Sequence, residues 1–398
     1  MMNVTIIGIG AAGNKAAIKA ITNKVIKEDH VKLINTTVKD IPEEYVNKKM
    51  YFQIPTPIGG AGKESNKAKQ AMINALNNGN VDPKELLNED SKAVILVSSV
   101  EGGTGSGAVP VLAEYYTSKK IPTHVFAIIG FQDEARGINN TLKFFRDLPD
   151  NVVLHTICNQ YFLDYTKNYK IAEEAANNEF SNQIAIIKGN MLIDTDQVID
   201  DMDLFKINST PGYMTINKIN IQDIRNIDNF NTAVSQAFDN SCHIQPDQSA
   251  KRIAGIINAD PSIQKFVDNK LDVLQRYIGV AFEKFLHIQN DGTEDYIIII
   301  CCGMNYPEKA IRDLFKDYNK IKEKLNTGLK SFGEIFEDIT VDDEDEFNID
   351  FQMGNIAPKQ QIFNDNSSDV SKMTPKKSED KVVKVVQTNK VKNMTEEY

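Results

Sequence analysis

Tryptophan is absent from the 398 residues, cysteine occurs four times and histidine five times. Cys158, Cys242, Cys301 and Cys302 lack metal-ligand spacing, and the histidines form no cluster along the chain. A zinc site and Cys/His nucleophilic catalysis are therefore poor explanations of function, and reduced thiols in a cytoplasm are expected. Positive charge is in deficit: 45 Lys and Arg against 55 Asp and Glu leave a net charge of −10. That argues against a folded part that binds nucleic acid through a general basic surface. No apolar run reaches the ~20 residues of a membrane span. Residues 1–8 enter a strand at once and lack the organisation of a signal peptide. With 41% hydrophobic and 25% charged residues, the expectation is a soluble globular protein, long enough for two domains.

Glycine is locally abundant. Glu101-Gly102-Gly103-Thr104-Gly105-Ser106-Gly107 follows the apolar run 93–97 and precedes a helical stretch at 108–116. A buried strand, a glycine loop and a helix N-terminus together make an anion site, because unpaired N–H groups and the positive end of the helix dipole face the ligand. Thr104 and Ser106 add hydroxyls. The blander reading, a flexible glycine loop, does not account for the strand before it and the helix after it. A second loop, Gly8-x-Gly10-x-x-Gly13, follows a strand at 4–7 and opens a helix at 14–26. It matches the dinucleotide fingerprint. A nicotinamide site, however, wants a carboxylate at the end of the second strand, and 31–34 runs into Asn35-Thr36-Thr37 with no acid before Asp40. Two glycine loops together with Gly60-Ala61-Gly62 suit a longer phosphate chain gripped from several sides. The Walker lysine pattern is absent.

Strands at 125–129 and 152–157, with a polar helix at 65–77, continue the alternation that predicts a parallel sheet covered on both faces. A long helix spans about 171–191. An acidic patch follows: Asp194, Asp196, Asp200, Asp201 and Asp203. Beyond Pro211-Gly212, residues to about 304 mix helices and strands, including 252–257 and the run 296–300. Pro307 opens a helix with Ile311, Leu314, Phe315, Tyr318, Ile321 and Leu325 at helical spacing. The last ~70 residues are polar, with an acidic block at 342–346 and lysines at 372–392, and read as a disordered tail.

Residues 101–107 resemble the tubulin/FtsZ glycine loop, with Glu101 in place of its first glycine, and residues 8–14 resemble the family's first loop, including Asn14. The resemblance covers about residues 1–305. It implies a tubulin/FtsZ fold of α/β class: a Rossmann-like GTPase domain at 1–170, a central helix and catalytic acidic loop at 171–203, and a second α/β activation domain at 204–305. A C-terminal helix at 306–330 and a charged tail at 331–398 complete it. Contacts to GTP or GDP, with Mg²⁺, are implied for Gly10, Ala11, Ala12, Asn14, Gly60, Ala61, Gly62, Gly102, Gly103, Thr104, Gly105, Ser106 and Gly107. Glu134 falls where the family contacts ribose, and Asn159 and Asn177 where it reads guanine. In the family an N-x-D-x-x-D loop enters the nucleotide site of the next subunit. Asp200 and Asp203 match its acids, Val198 replaces its asparagine, and Asp194-Thr195-Asp196 is a competing register. The residues alone also fit an acidic helix start.

The long C-terminal helix and charged tail are most similar to TubZ and the tubulin-like proteins of bacteriophages. The resemblance then implies a filament that hydrolyses GTP between subunits and segregates or positions DNA. Its partners would be further copies of the chain and a DNA-bound adaptor held by the tail, in a bacterial or host cytoplasm. A non-polymerising GTP-binding regulator and an FtsZ-type division protein remain as alternatives. Glu101 would bring a carboxylate towards phosphate, which Mg²⁺, Lys15 or Lys63 would have to offset.

Overall fold

The computed structural model describes residues 2–327 apart from 47, 58, 132, 194–198, 221–226, 245–249 and 268–279. Asp194, Asp196, Val198 and the tail at 331–398 lie outside the described residues. Everything described falls within one unit, Met1–Phe332.

The chain opens with β1 (Val4–Ile9), α1 (Gly10–Thr22), β2 (Val31–Asn35), α2 (Glu43–Val46), β3 (Tyr51–Gln53) and α3 (Ser65–Asn77). It continues with β4 (Ala93–Ser99), α4 (Gly103–Ser118), β5 (Thr123–Ile129), α5 (Ala135–Asp147), β6 (Val153–Cys158) and α6 (Asn159–Thr166). The central helix α7 (Tyr169–Ile187) leads to α8 (Asp201–Asn208), β7 (Gly212–Asn220), α9 (Ile227–Asp239), β8 (Arg252–Asn258) and α10 (Pro261–Val267). Last come β9 (Glu283–Gln289), β10 (Tyr296–Met304) and α11 (Glu308–Thr327).

All ten strands belong to one sheet, ordered β3-β2-β1-β4-β5-β6-β7-β10-β8-β9. The first six strands are parallel in the doubly wound order 3-2-1-4-5-6, which places a ligand crevice outside the carboxyl ends of β1 and β4, where the order reverses. The strands of the later half join this sheet through a short parallel ladder, Val153 opposite Gly212 and Leu154 opposite Tyr213. Strand β10 runs antiparallel to both β7 and β8.

Burial on both faces explains why the strands read as continuous apolar runs rather than alternating ones. Period-two alternation still sorts their side chains. Ile7, Val94 and Leu96 join a core with Met72, Leu112, Tyr116 and Phe144 of α3, α4 and α5. Ile6, Ile95 and Val97 join the opposite core with Ala16, Ala17, Phe180 and Ile184 of α1 and α7. The amino end of α7 is capped by Asn168, whose side chain accepts from Ile171 N at 3.1 Å.

Two boundaries differ from the sequence expectation. The helix expected at 108 begins at Gly103, so residues 103–107 form its first turns. Low helix propensity predicts a loop there, but contact decides otherwise. A Cβ on Gly107 would lie 2.2 Å from Ser65 O, and one on Gly105 2.7 Å from Ser99 O. Glycine lets α4 lie against both α3 and β4. Likewise α1 begins at Gly10 rather than 14.

Candidate functional site

At the reversal of strand order the first turns of α1 and α4 meet. A Cβ on Gly10, whose φ is +74°, would lie 3.4 Å from Gly105 N. Around this meeting point is a cavity of about 460 Å³. Gly10, Ala11 and Ala12 line one side, Gly102, Gly103, Thr104 and Gly105 the next, and Gly60, Ala61 and Gly62 a third. The three glycine segments picked out in the sequence thus converge. Two helix N-termini, both without a side-chain cap, point their unpaired N–H groups at one volume, which suits a polyphosphate. Thr104 Oγ1 lies 2.9 Å from Thr36 Oγ1. Asp40 is the one carboxylate among the lining residues, and Asn35 Nδ2 donates to it at 3.4 Å. Mg²⁺ is held largely by substrate phosphates and water with one or two protein oxygens; Asp40 and the paired threonines supply donors of that kind. Among the described residues no cluster of three His, Cys, Asp or Glu side chains forms a self-sufficient metal site.

Ser106 and Gly107 do not reach the cavity lining. Ser106 Oγ donates back to its own helix, to the carbonyls of Gly102 and Gly103, the latter at 3.2 Å. Asn14 is buried, and its Nδ2 donates to Ile34 O at 3.1 Å, tying α1 to the end of β2. Asn159 sits at the start of α6, buried, with its Oδ1 unpartnered among the described residues. Asn177 lines a neighbouring cavity of about 590 Å³ between α1 and α7, which shares Asp40 with the first. Glu134 is the residue before α5, and Lys63 Nζ donates to both of its carboxylate oxygens at 2.8 and 2.6 Å.

Glu101 does not point into the cavity. A Cβ built on Gly130 would lie 1.9 Å from Glu101 Oε2, and one on Gly137 3.5 Å from its Cδ. The carboxylate therefore lies against the N-terminal turn of α5, where the helix dipole favours an anion. The expected conflict with phosphate does not arise within the chain. The sequence reading left unassigned the strand-end groups Asn35, Thr36, Ser98 and Ser99, which line the cavity. Their signal was positional: polar residues directly after buried runs.

Asp200 caps α8, its Oδ1 accepting from Asp203 N at 2.7 Å. This is the acidic helix start that the residues alone allowed. Asp203 is itself 3.5 Å from Lys206. Neither lines the cavity. Helix α7 begins beside the carboxyl end of β6 and spans 19 residues, about 28 Å at 1.5 Å per residue. Its far end reaches the amino end of β1, where Met2 N donates to Lys188 O at 3.0 Å. After α8, Gly212 N donates to Val152 O at 2.9 Å, at the start of β6. Asp200 and Asp203 therefore stand at the opposite edge of the parallel sheet from the glycine cavity.

Residues 3–167 match the Tubulin/FtsZ family, GTPase domain. No curated protein matches the sequence. Among solved structures, TubZ of Bacillus thuringiensis serovar israelensis in a GTPγS-form protofilament aligns with a TM-score of 0.66 at 18% identity, covering 82% of this chain and 94% of that one. GTPγS-bound CetZ2 of Haloferax volcanii gives 0.65 at 16%, covering 81% and 100%. TubZ of Clostridium botulinum phage c-st gives 0.59 at 14%, covering 80% and 98%. At identities this low, these superpositions establish a shared fold and nothing more.

Proposed function

We propose, for a chain whose residues 3–167 belong to the Tubulin/FtsZ family as its GTPase domain, that it binds GTP in the glycine cavity and hydrolyses it between subunits of a head-to-tail filament. The observation that carries this reading is the separation of the two halves of the site. The phosphate-binding cavity opens at one edge of the sheet, and the acidic helix start lies at the other, beyond the full length of α7. One chain cannot bring them together, but two chains stacked in the same direction can. Such an interface is heterologous and does not close, so it propagates. Two similar structures are themselves filament assemblies.

Helix N-termini and N–H groups would hold the phosphates, with Mg²⁺ neutralising part of their charge. Asn159 and Asn177 would read the base through their amides. The neighbour's Asp200 and Asp203 would orient water in line with the terminal phosphate, so catalysis is positioning and electrostatics. Exposed apolar side chains at both edges support stacking: Tyr165, Tyr169 and Ile171 near the start of α7, Met202 beside the acids. Among the described residues no helix is long and apolar enough to cross a membrane. DNA of a plasmid or phage, reached through an adaptor on the tail, is the cargo we assign.

Sedimentation and phosphate release on the full chain test this. GTP should bring the protein into the pellet, and turnover per chain should rise with protein concentration. Asp200→Ala should pellet, bind GTP and turn it over at least tenfold more slowly, as expected when a water-orienting group is lost. Turnover per chain independent of concentration would refute the shared site. Unchanged adaptor and DNA binding after removal of residues 350–398 would refute the cargo assignment.

A further inference from the structure

Among the described residues, two charged side chains line the cavity, Asp40 and Lys63. Lys63 is thus the one cation among the lining residues that could meet a chain of phosphates. Its backbone is fixed. Its φ of +57° is a conformation that non-glycine residues adopt at a cost, characteristically where a function needs it. Its carbonyl accepts from Asn140 Nδ2 at 3.0 Å, and a Cβ on Gly103 would lie 3.0 Å from its Cα. With the main chain so held, the choice of partner rests with the side chain alone. The ammonium sits on both oxygens of Glu134. Both side chains are more than half exposed, 58% and 54%, where water competes and an ion pair is weak. A terminal phosphate offers more charge and more acceptor oxygens than one carboxylate.

We propose that Lys63 and Glu134 form an exchangeable latch on the cavity rim, Lys63 leaving Glu134 for the terminal phosphate of a bound nucleoside triphosphate. The latch rests on the nucleotide reading above and deepens it. It distinguishes the triphosphate from the diphosphate, which lacks the group that draws the ammonium away. It also frees a carboxylate at the start of α5. Glu134 is the N-cap residue of that helix, yet its side chain caps nothing while Lys63 holds it. Arg136 of its first turn reaches Gly62 O at 3.5 Å, so the exchange alters the ties between the rim and α5.

The test titrates GTP and GDP separately into the full chain by calorimetry, with Lys63→Asn, Glu134→Gln and the double variant. Asparagine is chosen because it tolerates positive φ. Lys63→Asn should weaken GTP about tenfold, ~1.4 kcal/mol, and GDP far less. Glu134→Gln should raise the preference for GTP over GDP, because the competitor for the ammonium is gone while any contact to the shared ribose affects both nucleotides alike, and that gain should vanish in the double variant. Equal losses for GTP and GDP, or a gain from Glu134→Gln that persists without Lys63, would overturn the latch while leaving nucleotide binding intact. An unaltered chain that binds neither nucleotide would overturn both the latch and the reading beneath it.

Discussion

Gly105 and Gly60 both line the glycine cavity, but the space around them differs. A Cβ on Gly105 would lie 1.5 Å from Ser98 Oγ, 2.8 Å from Ser98 Cβ and 2.7 Å from Ser99 O, whereas nothing lies within 4 Å of one on Gly60. The hydroxyl can rotate away, but the Ser99 carbonyl and Ser98 Cβ cannot. Gly105→Ala must push the N-terminus of α4 off β4, at a cost of about 1–3 kcal/mol, and moves the N–H groups that face the cavity. A melting curve should fall by several degrees for Gly105→Ala and stay near the parent for Gly60→Ala. At this scale the sequence was informative about identity and silent about direction. The glycines pointed to a phosphate cradle, and the three segments that carry them line one cavity. The side chain of Glu101 turns to Gly130 and Gly137, and Lys63 turns to Glu134, because of residues distant in sequence. Local pattern carries no trace of either.

Strand and helix alternation in the first half was legible because the parallel strands are buried on both faces and read as short apolar runs separated by longer mixed stretches. The continuation of the sheet through β7 to β10 was not. It depends on pairings such as Ile297 with Ile219 on one side and Ile257 on the other, and these long-range registers leave no local pattern. The adjacent strands β5 and β6 carry a consequence of their own. His124 Nδ1 and His155 Nε2 are 3.0 Å apart and fully buried, and the His155 ring lies nearly parallel to Phe126 at 4.1 Å. Burial pushes His124 down to about 4. Burial, then the nearby His124 and His243, push His155 well down. Both folded values lie below the unfolded value near 6.5, so the unfolded chain binds more protons below that pH. Their full stability is present above about pH 6.5 and is lost as pH falls towards 4, by roughly 3 kcal/mol for His124 alone. The urea midpoint should drop across that window. A His124→Leu/His155→Leu double variant, which removes both partners at once, should flatten the drop. An equally steep profile in that variant would show that other groups govern acid sensitivity.

For the whole molecule, the decisive arrangement is a glycine-lined cavity at one edge and a pair of acids at the other, held apart by α7. Neither half announces a complete site when considered alone: Asp200 and Asp203 are an ordinary N-cap and first turn, and among the described residues Asp40 is the one carboxylate lining the cavity. If the active unit is a pair of stacked chains, defects in the two halves must complement each other. Asp200→Ala keeps an intact cavity but offers a faulty lower edge to the chain it stacks on. A cavity variant such as Gly105→Leu, whose side chain would intrude on Ser98 and Ser99, binds no nucleotide yet keeps both acids. Each alone should show little turnover. Mixed in equal amounts, they form some interfaces in which an intact cavity meets intact acids. In random stacks about a quarter of interfaces have that composition, so phosphate release should recover towards that fraction of the unaltered rate, and co-pelleting should show both variants in one polymer. Recovery without co-assembly is incompatible with a site completed by a neighbour. So is co-assembly with no recovery, which would return the hydrolytic role to groups within a single chain.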